Sequence, residues 1–238
     1  MVTPFSVDGV SKAKILCNRI KLASADITNI PLLIAAAKSS LPIILSTGAS
    51  NYEEIEKAIS LIHETGNKDI TLLHCVLNYP TDPKDAYLKR ISLLKEKFHN
   101  CKIGYSDHVP PHKSKLTPII SVLMGAEVIE KHYTFDKSIQ GNDHYHSYDE
   151  IDLSEYIKNM KETIKLIGED ITQEDFINQQ LPAIQNARRS IVSNTFIKKG
   201  DVLSDKNITT KRPGTGIPAS KWDEVIQKKA ARDIEKDV

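Results

Sequence analysis

Lys102-Ile103-Gly104-Tyr105-Ser106-Asp107-His108 and, further on, Val128-Ile129-Glu130-Lys131-His132 decide the fold. Each is a short apolar run that ends in polar residues including a histidine, and each follows a helix-like stretch. The order strand, helix, strand sets both imidazoles at the carboxyl ends of neighbouring parallel strands, the rim where α/β sheets carry their chemistry. A single histidine there more often packs or faces water. Two in the same topological place, beside Ser106, Asp107 and Glu130, give metal ligation equal standing, because neutral imidazole is the commonest ligand for a divalent transition metal.

Working outward, further apolar runs recur at 19–23, 42–45 and 70–75, with helix-length segments at 52–65, 83–98 and 115–124. Alternation of this kind predicts βαβ units and a parallel sheet. Ser50 or Asn51 can cap the helix that follows, with Glu53 and Glu54 at its positive end. A helix over 154–167 stops at Gly168, as C-terminal glycines commonly make helices do.

Beyond that glycine the pattern changes. Residues 169–187 are polar and glutamine-rich without a clear period, which predicts a linker crossing the surface. From Arg188 onward, short strands are punctuated by Lys199-Gly200-Asp201 and Pro213-Gly214-Thr215-Gly216. Residues 188–238 hold 12 Lys/Arg against 7 Asp/Glu, leaving 20 against 24 for residues 1–187, so a small basic module follows a mildly acidic α/β region. The expected organisation is a barrel-type domain over 1–170, a linker over 171–187 and a small mostly-β domain over 188–238.

Composition narrows the function classes. At 238 residues the chain can bury a full core, and its formal net charge of +1 argues against a dedicated nucleic-acid binder. Cys17, Cys75 and Cys101 show no metal-ligand spacing and cannot all pair, which predicts a reducing compartment. With no leader-like opening and no apolar run of membrane-spanning length, the expected location is the cytoplasm, away from any membrane. Five strands in the first 170 residues are fewer than an eight-stranded barrel of about 250 residues needs. Periodicity leaves two readings: a five-stranded open sheet, or a barrel without its opening strands.

Taken together and in order, several motifs carry a resemblance. They are Thr3-Pro4-Phe5, Lys21-Leu22-Ala23-Ser24-Ala25-Asp26-Ile27-Thr28-Asn29, Ile44-Leu45-Ser46-Thr47-Gly48, Leu73-His74-Cys75 with Tyr79-Pro80, and the two histidine-ended strands. Ala187-Arg188-Arg189-Ser190 and Lys211-Arg212-Pro213-Gly214-Thr215-Gly216-Ile217 follow in the small module. The chain resembles the sialic acid (N-acetylneuraminate) synthase family, a TIM barrel followed by an antifreeze-like (SAF) domain. The fold class implied is α/β, a partial (β/α)8 TIM barrel lacking its first strands, then a small mostly-β SAF domain.

The resemblance implies a C–C bond-forming transferase that joins phosphoenolpyruvate to an N-acylated hexosamine aldehyde, typically N-acetylmannosamine, giving a nine-carbon 2-keto sugar acid and phosphate. It implies a divalent metal, Mn²⁺ with Mg²⁺ or Co²⁺ as alternatives, on His108 and His132. Thr3, Lys21, Ser24, Ser46 and Ser106 match phosphoenolpyruvate contacts, Asp26 and Tyr79 match catalytic positions, and Asp143 lies on the sugar side. Arg212 matches a residue that reaches the partner's site in a domain-swapped homodimer. The extra histidines in Gly141-Asn142-Asp143-His144-Tyr145-His146 are read as loop residues.

Three departures shape the expectations. Asp26 stands where the family has a glutamate, and Leu77-Asn78 does not match the usual substrate contacts, which leaves bacillosamine-derived aldehydes open. The start of the chain matches the end of the third barrel strand, so the polypeptide alone is expected to be poorly stable and weakly active or inactive. A non-catalytic remnant or subunit of a split synthase that still binds sugar or phosphate is the competing reading.

Overall fold

The computed structural model describes residues 1–238 and divides into two compact units, Met1–Ile167 and Gly168–Val238. The first begins with α1 (Val7–Leu16) and alternates strands and helices: β1 (Ile20–Leu22), α2 (Ile30–Lys38), β2 (Ile43–Ser46), α3 (Tyr52–Glu64), β3 (Ile70–Cys75). It continues through α4 (Lys89–Lys97), β4 (Lys102–Asp107), α5 (Thr117–Leu123), β5 (Val128–Lys131) and α6 (Glu150–Ile167). The five strands lie side by side in chain order, every neighbouring pair parallel. A doubly wound sheet reverses its order at a switch point, whereas a barrel does not. The sheet is an arc of a barrel, and Val2 extends it with a parallel bridge to Ile20.

Strand alternation sorts the side chains onto two faces. Leu22, Leu45, Leu72 and Ile103 occupy one row of paired positions, and Ile20, Ile43 and Ile70 another. These rows pack against Leu33, Ala36, Ile55, Ile62, Ile91 and Leu94 of the covering helices to make the main core. The opposite face carries Lys21, Ser46, Cys75, Ser106 and Glu130. Lys21 on β1 lies 3.3 Å from Glu130 on β5. In a flat sheet those strands stand about 19 Å apart at roughly 4.8 Å per spacing, so the contact requires strong curvature. At Gly104 the neighbouring strands approach closely, and an added Cβ would come within 2.5 Å of both Leu73 and the Val128 carbonyl.

Local signals explain the helix ends. Asn51 and Glu54 form a capping box at α3, with bonds of 2.8 and 3.0 Å. Gly168, at φ 75°, ends α6 in the left-handed conformation that glycine adopts freely. Three expectations change. The segment 83–98 splits into a short 3₁₀ turn and α4, because Tyr87 turns to positive φ between them. Helix α6 starts at Glu150, ahead of the expected 154. The stretch expected as an irregular crossing holds two short helices, α7 (Gln173–Asn178), capped by the Thr172 hydroxyl, and α8 (Leu181–Ala187).

The second unit adds an antiparallel pair, β6 (Ser190–Ser193) and β7 (Ile208–Lys211), and a short α9 (Trp222–Val225). Its core is small: Ile197, Ile208 and Ala230 are buried, with Ile191, Leu203, Trp222, Val225 and Ile234 against them. No helix of the chain is long and apolar enough to cross a membrane.

Candidate active site

The polar residues of the inner face converge at the carboxyl ends of the strands, around a cavity of about 410 Å³. Thr3, Lys21, Ser24, Ser46, Tyr79, Ser106, His108 and His132 all border it, together with Phe5, Cys75, Glu130 and Lys131. Cys75, Ser106 and Glu130 are partners in adjacent strands, so register alone aims them at one volume. Ser106 donates to Glu130 at 2.7 Å, and Lys21, 5% exposed, meets the same carboxylate oxygen. A cation buried this deeply requires a partner. The Ser46 hydroxyl is buried without one, an unmet demand that typically costs about 1–3 kcal/mol and suits a ligand oxygen. Ser24 accepts from the Gly48 amide at 2.9 Å, and a Cβ at Gly48 would lie 2.8 Å from that hydroxyl.

A second cavity of about 610 Å³ adjoins the first, sharing Phe5, Ala23, Ser24, Tyr79 and His132. Ala25, Leu77, Asn142, Asp143 and Tyr145 complete its wall. The first compartment presents a lysine and hydroxyls, a set suited to a compact anion. The second mixes apolar surface with amide, carboxylate and phenol, a set suited to a polyhydroxylated molecule.

Three imidazoles lie beneath the ring of Tyr79. His108 is 4.1 Å from it between centroids, and His132 is 5.2 Å from both His108 and His146. His108 Nδ1 donates to the Val76 carbonyl at 2.8 Å, which leaves Nε2 as the free lone pair. Burial pulls the His108 pKa down to about 4 and lowers that of His132, so both rings are neutral near pH 7. Burial also raises the Tyr79 phenol to about 12 and raises the Cys75 thiol. Tyr79 therefore keeps its proton near neutral pH.

One expected catalytic residue lies elsewhere. Asp26 borders neither cavity: its carboxylate accepts from the Asn29 side chain at 3.0 Å and closes the short turn before α2. Arg212 is exposed in the second unit. Asp107, next to His108 in sequence, is fully buried on the helix side of the sheet. It accepts from Tyr105, the Val109 amide, Thr117 and Lys131 at 2.9–3.0 Å, which makes it an architectural hub. Glu130 and His146 are the groups that sequence reasoning undervalued. The first was legible from its two-residue phase with His132 at the end of one strand. The second sits in a loop, where no period signals contact.

The sequence profile of the NeuB family matches residues 1–172, and that of the SAF domain matches residues 188–238. The chain is 42% identical over 217 residues to an uncharacterized protein of Methanocaldococcus jannaschii, covering 91% of this chain and 63% of that protein. It is 37% identical over 238 residues to the N,N'-diacetyllegionaminic acid synthase of Campylobacter jejuni, covering 99% and 70%. Among solved structures, an N-acetylneuraminic acid synthetase from Leptospira borgpetersenii, in complex with citrate, superposes with a TM-score of 0.67 at 37% identity. That match covers 75% of this chain and 63% of the other. The chain thus spans roughly two thirds of the length of these proteins.

Proposed function

The chain belongs to the NeuB family and carries a SAF domain; from that premise we propose that it is a phosphoenolpyruvate-dependent synthase of a nine-carbon 2-keto sugar acid. C3 of phosphoenolpyruvate attacks the aldehyde carbon of an N-acylated hexosamine, whose oxygen becomes a hydroxyl on taking a proton. Water captures the cationic C2, and phosphate leaves with cleavage of the C2–O bond, so one phosphoenolpyruvate, one sugar and one water give the acid and phosphate.

The observation that carries this reading is the pairing of a buried lysine with a ring of hydroxyls in a cavity that opens onto a second, sugar-sized compartment. Lys21 supplies the charge for a dianion, and Thr3, Ser24, Ser46 and Ser106 supply directional hydrogen bonds. Glu130 borders the anion compartment and takes the proton of the water that adds to C2. Tyr79 donates from its phenol between the two compartments, and Asp143 binds sugar hydroxyls. Arg212 of a second copy contacts the N-acyl group in a domain-swapped dimer.

The donor set fits a divalent cation, since His108 presents a free Nε2 and His132 lies beside it. Held there, Mn²⁺ or a similar ion supplies Lewis-acid polarisation of the aldehyde. The mixed wall of Leu77, Asn142 and Tyr145 supports acceptors beyond N-acetylmannosamine, including diacylated 6-deoxy sugars. The test is phosphate release by the purified full chain with phosphoenolpyruvate, Mn²⁺ and a panel of N-acylated and N,N'-diacylated hexosamines. Release that requires both metal and one sugar is expected. A folded chain that releases none with any sugar overturns the activity and leaves a binding subunit.

A further inference from the structure

Within the cluster under Tyr79, His146 is the residue for which the proposed reaction has no use. It is fully buried, and neither ring nitrogen has a hydrogen-bond partner. Buried polar atoms are nearly always hydrogen-bonded, so an imidazole with two unmet nitrogens is unusual unless something binds it. Its ring is 5.2 Å from that of His132, and His132 Nδ1 is 3.7 Å from Asp143 Oδ2. One ligand atom from each of His132, Asp143 and His146 falls within 4.8 Å of the others. No other three residues of the chain form such a group.

The backbone fixes this arrangement. The loop carrying Asp143 and His146 returns beside the exit of β5, where Tyr133 and Tyr148 bridge in parallel. The Tyr148 amide donates to the His132 carbonyl at 2.9 Å and the Thr134 amide to the Tyr148 carbonyl at 2.8 Å. The Ser147 hydroxyl donates to the carbonyl of Asp143, holding the turn between the two loop ligands. Two imidazoles and one carboxylate form a borderline donor set that favours first-row transition ions over the all-oxygen cages chosen by Mg²⁺ and Ca²⁺.

We propose that His146 and Asp143 join His132 in holding the divalent cation, making a site selective for a first-row transition ion. This inference rests on the reading of the cavity as a metal-assisted synthase site and adds two ligands to the histidine pair named above. Asp143 is then shared between cation and sugar side, and His146 anchors the ion from the interior of the loop.

The test measures binding without phosphoenolpyruvate or sugar, so it stands apart from turnover. Mn²⁺ binding to the full chain is followed by electron paramagnetic resonance for wild type, His146→Phe and His108→Phe, with near-ultraviolet circular dichroism as the folding check. His146→Phe keeps a ring in the buried space and is expected to weaken Mn²⁺ binding at least about 100-fold. Retention of wild-type affinity in folded His146→Phe overturns the proposal, and loss in His108→Phe alone would assign the ion to the other pair. Where His146→Phe does not fold, the Co²⁺-loaded wild type decides. Three strongly shifted imidazole N–H resonances support His146 as a ligand, and two or none overturn it. Phosphate release without dependence on His146 leaves the synthase reading standing, while tight His146-dependent binding without turnover leaves the ligand set standing.

Discussion

The two units stabilise themselves in different ways. Met1–Ile167 packs five strands and their helices around one deep apolar core, whereas Gly168–Val238 buries three apolar residues and relies on turns and short bridges. Depth has a chemical consequence. Only the first unit can hold Lys21, Ser46, Ser106 and His108 nearly out of water at fixed positions, because close packing and register leave them no alternative. The charged groups of the second unit, Arg212 among them, are exposed. The buried polar cavity therefore belongs to the first unit.

The largest expected effect probes the deep core. Leu72, 0% exposed at the centre of β3, loses about 4 kcal/mol on change to Ala, by the usual sum of transfer and cavity costs. Urea unfolding followed by far-ultraviolet circular dichroism reads this loss. Trp222, the only tryptophan, sits in the second unit and reports that unit separately by fluorescence. A tryptophan transition that moves with Leu72→Ala would join the two units into one cooperative body and end the distinction.

Acid sharpens the same contrast. All eight histidines lie in the first unit, and burial lowers the pKa of His74, His108, His132 and His146. A group that resists protonation when folded, but takes a proton at about 6.5 when unfolded, makes the unfolded state the greater proton binder between those values. Stability is then complete above pH 6.5 and falls as pH drops towards the folded values. His108, shifted to about 4, contributes on the order of 3 kcal/mol at most to that loss. Without added metal, the urea midpoint of the first unit is expected to fall between pH 7.5 and pH 4.5 more steeply than that of the second. Equal slopes would contradict the assignment of buried neutral imidazoles.

Smaller effects belong to the second unit. Ile208→Ala is expected to cost about 2 kcal/mol, at the low end for its class because a shallow core relaxes around the gap, and to move the tryptophan transition alone. Arg212→Ala is expected to raise the half-saturating sugar concentration about tenfold, roughly 1.4 kcal/mol, with the requirement for phosphoenolpyruvate unchanged. A change in both substrates would remove Arg212 from the acceptor side.

Much of this was legible in the sequence. The apolar runs marked all five strands because a parallel sheet covered on its helix side demands continuous apolar stretches. Ordered motifs named Thr3, Lys21, Ser24, Ser46, Tyr79, Ser106, His108 and His132, all of which border the first cavity. Three side-chain placements were not legible, each because it depends on curvature or loop closure. The contact of Lys21 with Glu130 joins the outermost strands, which no local pattern can pair. Asp26 has the right charge in the right motif, yet its turn points it at Asn29. His146 reaches His132 only through the return of its loop beside β5. The helices within 169–187 escaped notice because glutamine-rich, mostly exposed faces show no period.

The proposed binding of a phosphorylated three-carbon acid on the inner face of the first unit is tested most directly by calorimetric titration of phosphoenolpyruvate into the full chain and its Lys21→Met variant. One equivalent bound by wild type, with affinity lowered at least about 30-fold in the variant, is the predicted result, matching the 2 kcal/mol or so of a charge-assisted contact. Equal affinity in the two proteins, or no binding by a folded wild type, would contradict it.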